Sequence, residues 1–354
     1  MSFELLAWEP PEPGRAVPID GGLCWLRLPV PGPLAHINVW LVPGRNGSVL
    51  VDTGMNHPDT HAAWEALGRE QHLEDELEAI LVTHHHPDHF GMSARLAERF
   101  GVPVRMSEPA RAAALRNAAG PEALPEALLH EYRASFGVDF PALVRRAGGV
   151  GVFGRLVSGI PQPAPYLIEG EVPAEFADPW HASLHFGHAE GHVCLHQREG
   201  GLLISGDQLL PAISSNVSLY PGVGSSDPLA DFLASLQRLG TLPAATIVLP
   251  AHGQPFRGAA ERSAQLRAGH AQRLRKLTDF AAEPRATVDV VVALFGERNL
   301  EGWNSLLAYG ETLAHIRYLW GRGELERLEE GGEVRWLRAR RGSLNHPDLG
   351  DTDE

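Results

Sequence analysis

The sequence predicts a mixed α/β fold followed by a smaller helical domain, and three observations support this prediction. Short apolar segments typical of buried strands recur through the first 260 residues and alternate with amphipathic segments typical of helices. Several of these strands end directly in histidine or aspartate. After residue 260 the composition changes to arginine-rich helical patterns and a late Gly-Gly turn. We therefore expect a large domain over residues 1–260, a small domain over 261–341 and a disordered acidic tail over 342–354.

Length and composition fit an ordinary globular protein. The chain has 354 residues, of which 44% are hydrophobic and 21% are charged. No apolar run approaches the roughly 18 residues of a membrane span, and the N-terminus lacks a basic secretory segment, so we expect a cytoplasmic protein without a membrane partner. Cys24 and Cys194 lie in apolar segments, which favours core packing over a disulfide. The formal charge of −14 disfavours nucleic acid as a partner, although a local basic face would override it.

The N-terminal part of the chain predicts a β-meander. Residues 1–20 are rich in proline and are expected to be irregular. Asn46-Gly47 is a strong hairpin signal between the last two of three strand-like segments, which lie at 23–28, 37–42 and 48–52. The third strand closes with Asp52-Thr53-Gly54, and residues 57–71 then predict a helix.

The most informative segment is the turn 83–91, which places four potential metal ligands within six residues. It follows an apolar run at 78–83 that predicts a buried strand, and it leads into an amphipathic helix. At such a turn the ligands point in two directions as two pairs, His84 with His86 and Asp88 with His89. One segment can thereby serve two metal positions about 3.5–4 Å apart, whereas His85 should face away. Without a cation, these imidazoles and the carboxylate would repel one another or stay half desolvated.

The segment 107–163 interrupts the regular alternation of strands and helices. It follows a predicted helix at 92–100 and a short predicted strand at 102–106, and it is rich in alanine, proline and glycine. Helical patterns occur within it at 110–119 and 125–136. We interpret the segment as a helical insertion that acts as a lid or substrate pocket, or alternatively as the contact of a homodimer.

Further potential ligands lie at later strand ends. Strand signals return at 165–170 and 181–186, and the second is followed by the turn Gly187-His188-Ala189-Glu190-Gly191-His192. Another apolar strand ends at Asp207, and the segment 245–253 contains a strand that ends at His252.

These motifs together resemble the metallo-β-lactamase superfamily over residues 20–260, in its His-x-His-x-Asp-His turn and its Gly-His-x-x-Gly-His turn. The resemblance implies an αβ/βα sandwich of four layers, in which two mixed sheets pack together between helices. It implies that Asp52-Thr53-Gly54 and His192 support the metal ligands from behind. It also implies one metal bound by three histidines, a second bound by an aspartate and two histidines, and a bridging aspartate: His84, His86 and His188; Asp88, His89 and His252; Asp207.

The C-terminal segment resembles the winged-helix-like module found in one branch of this superfamily. An arginine-rich amphipathic helix is predicted at 259–280. Three shorter helices and a hairpin with a Gly331-Gly332 turn are then predicted at 288–294, 305–309, 311–322 and 325–337. Charges balance roughly between 289 and 341, so the module lacks the positive face of a DNA binder, and packing or pocket building is the favoured role.

The ligand set indicates metal-dependent hydrolysis. Five imidazoles and two carboxylates suit zinc, and also iron or manganese; zinc is our first choice. Two ions that share a water lower its pKa towards about 7, so a bridging hydroxide would attack the substrate. Asp88 would relay the proton, Asp207 would bridge the ions, and Tyr220, in the loop after Asp207, would donate to the developing oxyanion. Packing of the Tyr220 ring under this loop is the equally supported alternative.

The substrate is less well defined by the sequence. A small carboxylic ester or thioester is favoured, in the manner of a glyoxalase II-like thioesterase whose arginine-rich helix holds glutathione or coenzyme A. An acyl-homoserine-lactone type lactonase would use an apolar pocket in the insertion 107–163. An endoribonuclease would need the helix 259–280 to line a basic groove, and the charge of −14 speaks against this.

Overall fold

The computed structural model describes residues 3–71, 76–149, 152–161, 164–222 and 224–339. The predicted disordered tail at 342–354 lies outside these residues. The chain forms two compact units. The first unit comprises Met1–Ala123, Gly149–Val217 and Val223–Arg267, and the second comprises Leu124–Gly148, Ser218–Gly222 and Ala268–Glu354. The predicted insertion 107–163 is therefore divided between the two units.

The first sheet of the first unit has six strands and contains the predicted meander. In spatial order its strands are β2 Ala16–Pro18, β3 Cys24–Pro29, β4 His36–Pro43, β5 Ser48–Val51, β6 Leu77–Leu81 and β7 Val104–Arg105. The strands β2 to β5 are antiparallel, and β5, β6 and β7 are parallel. The predicted hairpin at Asn46-Gly47 is confirmed, because Pro43 pairs with Ser48 across it.

The second sheet of the first unit also has six strands. In spatial order they are β1 Glu4–Leu5, β12 Phe256–Arg257, β11 Ile247–Pro250, β10 Leu202–Gly206, β9 His192–Gln197 and β8 Trp180–His185. Only the pair β10 and β11 is parallel. The prediction that residues 1–20 are irregular is wrong at β1 and β2, because both short strands pair with later strands of the chain.

The predicted strand at 165–170 is also wrong. This segment has no regular structure, although Leu167 N–H donates to the Met106 carbonyl. The guanidinium of Arg105 donates to the carbonyls of Pro165 and Tyr166, at 2.9 and 3.1 Å. Arg105 thereby satisfies two of the segment's carbonyls, and the Gly170 N–H donates to the Ala182 carbonyl of β8, so the segment is held by scattered hydrogen bonds rather than by a strand ladder.

The main core of the first unit lies between its two sheets. Trp25 and Trp40 stack there with ring centroids 5.8 Å apart, and they share a buried cluster with Trp180 from the second sheet. Neighbouring residues of β3 point the other way, because side chains alternate along a strand. Leu26 accordingly joins a second buried cluster, together with Trp64 of a helix that covers the outer face. Helix, sheet and sheet therefore form successive layers.

The predicted helices at 57–71, 92–100 and 110–119 are confirmed in the first unit, whose described residues also form three helices that the sequence did not predict. These helices are α1 Pro58–Gln71, α2 Pro87–Phe90, α3 Ser93–Phe100, α4 Glu108–Ala119, α7 Val152–Leu156 and α8 Pro228–Leu239. Ser107 caps α4 and Asp227 caps α8 by accepting from backbone N–H groups in the first turn. The predicted helix 259–280 is confirmed as α9 Ala259–Phe280, in which the boundary between the units falls. Across the described parts of the chain, every helix is too short or too polar to cross a membrane.

The second unit combines helices with a three-stranded sheet. Its other elements are α5 Glu126–Phe136, α6 Phe140–Arg146, β13 Arg285–Ala286, α10 Thr287–Phe295, α11 Gly302–Gly321, β14 Leu325–Glu330 and β15 Glu333–Arg338. The sheet order is β13-β15-β14, and the predicted hairpin is confirmed. Trp336 on β15 is fully buried, and its ring lies 5.6 Å from that of Trp320. The designation of this part as a winged helix stays a prediction.

The prediction of two helices at 305–309 and 311–322 is wrong, because α11 runs through both. Gly310 between them is a helical residue. A Cβ atom at this position would lie 2.5 Å from the Ser218 hydroxyl and 2.7 Å from the Tyr220 ring. The glycine is therefore required for close packing rather than for a break in the helix.

Candidate metal centre

Four loops of the first unit bring all seven predicted ligand residues together. Each loop follows a strand of one of the two sheets. The connection after β6, made of a turn and the short helix α2, carries four of them, and the loop between β8 and β9 carries a fifth. The last two follow β10 and β11, which are parallel and therefore end at the same edge of the sheet. Three overlapping groups that could hold a metal ion result: His84, His86 and His188; His84, His89 and Asp207; Asp88, His89 and His252.

The first potential metal position is formed by three histidines. His84 Nε2 lies 3.0 Å from His86 Nδ1 and 3.2 Å from His188 Nε2. Nitrogens bound to one tetrahedral zinc ion at about 2.0–2.1 Å are separated by roughly 3.3–3.4 Å. The three nitrogens are therefore spaced as ligands of a single ion.

The second potential position is formed by Asp88, His89 and His252. Asp88 Oδ2 lies 3.2 Å from His252 Nε2 and 3.7 Å from His89 Nε2. The His89 ring is fully buried and the Asp88 side chain is 12% exposed, so the carboxylate is the more accessible of the two groups. Both come from the short helix α2, which begins at Pro87 with His86 as its N-cap.

Asp207 lies between the two positions and reaches both. Its Oδ2 atom is 3.4 Å from His188 Nε2, in the first group. Its Oδ1 atom is 3.4 Å from both His89 Nε2 and His252 Nε2, in the second group. One carboxylate oxygen thus faces each position, which is the arrangement required of a bridging ligand.

Backbone carbonyls fix the orientation of two of the histidines. His188 Nδ1 donates to the Asn216 carbonyl at 2.8 Å, and His252 Nδ1 donates to the His36 carbonyl at 2.7 Å. Because a carbonyl oxygen only accepts, Nδ1 carries the proton in both rings and the Nε2 lone pair faces the site. Histidines that bind metals are commonly held in this way.

Asp52 fixes the orientation of the His89 ring through Nδ1, so that Nε2 faces the site. Its Oδ2 atom lies 2.7 Å from His89 Nδ1, and Thr83 donates to the same carboxylate through its backbone N–H and its hydroxyl. Asp52 adopts a φ of 66°, an unfavourable conformation for a residue other than glycine. Strain of this kind persists only where surrounding contacts fix the residue, and here three hydrogen bonds do so.

His192 contacts Asp207 and lies outside the potential metal-binding groups of the described residues. The backbone N–H of Asp207 donates to His192 Nε2 at 3.1 Å, so this ring accepts a hydrogen bond from the backbone. The ring fits because residue 206 is a glycine with a φ of 50°, whose Cβ atom would lie 2.6 Å from Nε2. Gly206 and His192 thus set the position of Asp207 together.

The electrostatics of the site favour a bound cation. Burial and the neighbouring imidazoles lower the pKa of His84 well below its ordinary value, so this ring is neutral and able to bind a metal. Burial also disfavours a charged His89, but Asp207, Asp52 and Asp88 outweigh it and raise the pKa of His89 well above its ordinary value. The carboxylates therefore attract positive charge, which a proton supplies when no metal does.

Three buried ligand atoms also lack hydrogen bonds. In the part of the chain that the structure describes, His89 Nε2, His252 Nε2 and Asp207 Oδ1 have no hydrogen-bond partner. An unsatisfied buried polar atom costs about 1–3 kcal/mol. A divalent cation between these atoms would satisfy all three, so the residues fit a metal.

Comparisons with known proteins agree with this geometry. The profile of the Metallo-beta-lactamase superfamily matches residues 32–252. The chain belongs to the metallo-beta-lactamase superfamily. A second profile, described as the metallo-beta-lactamase-like C-terminal domain, matches residues 274–339 of this superfamily member. Membership and the ligand groups together support a metal-dependent hydrolase.

Relatives of this metallo-beta-lactamase superfamily protein include both sequences and solved structures. It is 27% identical to a probable metallo-hydrolase, YqjP of Bacillus subtilis, over 87% of this chain and 95% of that protein. A beta-lactamase domain protein from Burkholderia ambifaria superimposes with a TM-score of 0.81 at 32% identity, covering 95% of this chain and 98% of the other. A short match of 66 residues, 42% identical, links 19% of this chain to 23% of a hydroxyacylglutathione hydrolase from Albidiferax ferrireducens.

Tyr220 has a different environment from the one predicted for an oxyanion donor. It lies in the second unit, where its hydroxyl donates to the Leu306 carbonyl at 3.0 Å and its ring packs against Phe140 at 5.6 Å. Burial raises the pKa of this phenol. These contacts support the packing alternative, and the oxyanion role of Tyr220 stays a prediction without an observation in its favour. His85 lies outside the metal-binding groups of the described residues.

Sequence reasoning did not identify the groups that orient the ligands through the backbone. The carbonyls of His36 and Asn216 have no sequence signature, because every residue carries one. The arginine-rich helix at 259–280 is predicted to hold the substrate, but Arg262 on this helix donates to the carbonyls of Leu210 and Ile213, at 2.7 and 2.9 Å. It thereby holds the loop that follows Asp207. A signal for this role would be an arginine on a half-buried helical face rather than an exposed one.

Proposed function

We propose that this superfamily member is a dinuclear metal-dependent hydrolase that acts on a small carboxylic ester or thioester. The observation that carries the proposal is the position of Asp207, which directs one oxygen to each of two ligand groups at 3.4 Å. Zinc is the proposed metal, because imidazole and carboxylate ligands suit it; iron and manganese are the alternatives.

Two divalent ions, when bound, supply Lewis-acid activation of water and of the substrate carbonyl. The residues of the chain hold and orient these groups. Asp207 keeps the two positions at a fixed separation, and the protonated Nδ1 atoms of His188 and His252 keep the Nε2 lone pairs directed inward. Asp88 is the proposed proton relay, because its carboxylate is partly exposed at 12% and lies 3.2 Å from His252. It would accept the proton of the attacking water and pass it to the leaving group.

A chemical argument and a sequence match favour an ester or thioester substrate. A thiolate leaves readily without protonation, and an alkoxide would be stabilised by a bound metal ion or by the proton from Asp88, so neither needs the lysine or tyrosine that the described residues of the site do not offer. The short match to a hydroxyacylglutathione hydrolase also favours a thioester, although it spans only 19% of this chain.

Exposed apolar side chains favour a substrate with an apolar part. Phe186 is 37% exposed and lies two residues before His188, and Ile213 is 44% exposed in the loop that follows Asp207. Leu34 is 38% exposed and precedes His36, whose carbonyl orients His252. Exposed apolar side chains on the loops that carry or hold the ligands are suited to an acyl chain. This observation supports the lactonase as the second candidate.

The endoribonuclease alternative is weakened by two of the arginines of α9, Arg262 and Arg273. Arg262 donates to backbone carbonyls, and Arg273 donates to Glu311 at 2.8 Å, so neither guanidinium is positioned as an isolated phosphate ligand. The formal charge of −14 also disfavours the binding of RNA. The cytoplasmic location, the possible homodimer and the role of the insertion 107–163 all stay predictions.

The experiment is hydrolysis of a substrate panel by purified protein of known metal content. The panel contains an acyl-CoA, S-lactoylglutathione, a long-chain acyl homoserine lactone and a structured RNA. We expect turnover of a thioester or a lactone, its loss on chelation and its recovery with zinc. Asp59→Asn, at a side chain that is 71% exposed, serves as a control that should retain activity. Cleavage of RNA alone would overturn the proposed substrate class.

A further inference from the structure

The second unit contains a buried group of potential metal ligands that the hydrolase site does not use. His270 on α9 and His315 on α11 are 1% and 0% exposed, and Glu311 on α11 is 7% exposed. One potential ligand atom from each of the three side chains lies within 4.8 Å of the others. Ionisable side chains are seldom buried unless they are paired or bind a metal, so pairing and a metal ion are the two explanations to compare for this group.

The two imidazoles are spaced like ligands of one ion. His270 Nδ1 lies 3.2 Å from His315 Nε2. The nitrogens of His84 and His188 in the hydrolase centre are also 3.2 Å apart. Both separations are close to the roughly 3.3–3.4 Å expected for two nitrogens bound to one tetrahedral zinc ion.

His315 is oriented in the same way as two histidines of the hydrolase centre. Its Nδ1 atom donates to the Glu311 carbonyl at 2.7 Å, so its Nε2 lone pair faces His270. His188 and His252 also donate from Nδ1 to a carbonyl and direct Nε2 to the site. Glu311 and His315 are four residues apart, so their side chains lie on one face of α11 in successive turns. Pairs of ligands with this spacing on a helix occur in zinc enzymes.

We propose that the second unit holds a divalent metal ion bound by His270 Nδ1, His315 Nε2 and the carboxylate of Glu311. The ion would join α9 to α11 and would have a structural role. Arg273 donates to Glu311 Oε1 at 2.8 Å, and a carboxylate has two oxygens, so a guanidinium and an ion can share it. The competing explanation is a neutral pair of histidines joined by one N–H···N hydrogen bond, with Glu311 committed to Arg273.

Metal counting on the full-length protein distinguishes these explanations. Protein saturated with zinc and freed of excess metal is expected to contain one ion more than the two of the hydrolase centre. His270→Asn should remove that ion and leave hydrolysis of the active substrate unchanged. The matched control is His130→Asn, an exposed histidine of the same unit, which should retain the full metal content.

A cobalt spectrum provides a readout that is independent of activity. In a protein that carries His84→Ala and His252→Ala, we expect one bound cobalt ion with the visible bands of a tetrahedral site. Addition of His270→Asn, or of Glu311→Gln if the first variant fails to fold, should abolish these bands. Wild-type protein that binds no ion beyond the hydrolase centre, or bands that persist in both variants, would overturn the proposal. Since the site does not depend on turnover, failure of the proposed hydrolase function leaves this test intact.

Discussion

The replacement of Asp52 by asparagine tests how the second metal position is held. Three donors reach the Asp52 carboxylate: the backbone N–H and hydroxyl of Thr83, and Nδ1 of His89. Asparagine keeps one oxygen and places an NH₂ group at the other position. The backbone N–H of Thr83 cannot change its role, so the oxygen remains there and the NH₂ group faces His89. The imidazole must then accept at Nδ1 and carry its proton on Nε2, where it blocks metal binding.

The size of the effect follows from the lost hydrogen bond. The Asp52 side chain is 3% exposed, and its bond to His89 Nδ1 is 2.7 Å long, so solvent does little to weaken it. A hydrogen bond to a charged group contributes about 1.5–3 kcal/mol. Each 1.4 kcal/mol corresponds to about tenfold in an equilibrium constant, so Asp52→Asn should weaken the second metal position about 10- to 100-fold. In other metalloproteins, substitution of a residue that hydrogen-bonds to a metal ligand weakens metal binding by a similar factor.

The assay is hydrolysis measured over a series of buffered free zinc concentrations. We expect the zinc concentration at half-maximal rate to rise about 10- to 100-fold in Asp52→Asn, and the rate to recover at saturating zinc. Asp59→Asn should behave as the wild type, because Asp59 is 71% exposed and distant in sequence from the ligands. An unchanged zinc dependence in a folded Asp52→Asn protein would refute the role given to Asp52.

Three other substitutions test separate parts of the site. Asp207→Ala removes the bridge and should lower bound metal and abolish hydrolysis while the circular dichroism spectrum stays unchanged. Gly206→Ala places a Cβ atom 2.6 Å from the His192 ring at a φ of 50°, so we expect a loss of about 1–3 kcal/mol in the free energy of unfolding. Tyr220→Phe should cost about 0.5–1.5 kcal/mol of stability, for its hydrogen bond to the backbone, with little change in kcat.

The contradicting results differ for each substitution. Full activity in Asp207→Ala would exclude the bridging mechanism. Wild-type stability in Gly206→Ala, measured by urea unfolding, would show that the His192 ring moves freely. A fall in kcat of about 100-fold or more in Tyr220→Phe would restore the oxyanion role of that hydroxyl.

The convergence of the seven potential ligands was predictable because their signals are local. Three of the four loops that carry them follow mainly apolar strands, β6, β10 and β11, and a polar side chain immediately after a buried strand is confined to the sheet edge. Within the turn from His84 to His89, the side chains point in two directions and can therefore serve two metal positions. The sequence order of Asp207 and His252 then matches the family pattern, and the structure brings both to the same place.

Features that depend on distant contacts were not predictable in the same way. The helices predicted at 305–309 and 311–322 are one helix, α11, and Gly310 between the predicted ranges has Ser218 and Tyr220, some 90 residues earlier, packed against its backbone. Residues 165–170 have the composition of a strand, yet the carbonyls of Pro165 and Tyr166 accept from the Arg105 side chain rather than from a strand backbone. Both outcomes depend on partners far away in sequence, which composition and periodicity do not report.

Anomalous diffraction from crystals of the zinc-loaded protein tests the central claim most directly. We expect two peaks among the seven ligand residues, about 3.5–4 Å apart, with one oxygen of Asp207 directed to each. A single peak, or zinc bound away from His84, His89 and Asp207, would contradict the dinuclear centre and with it the proposed hydrolysis.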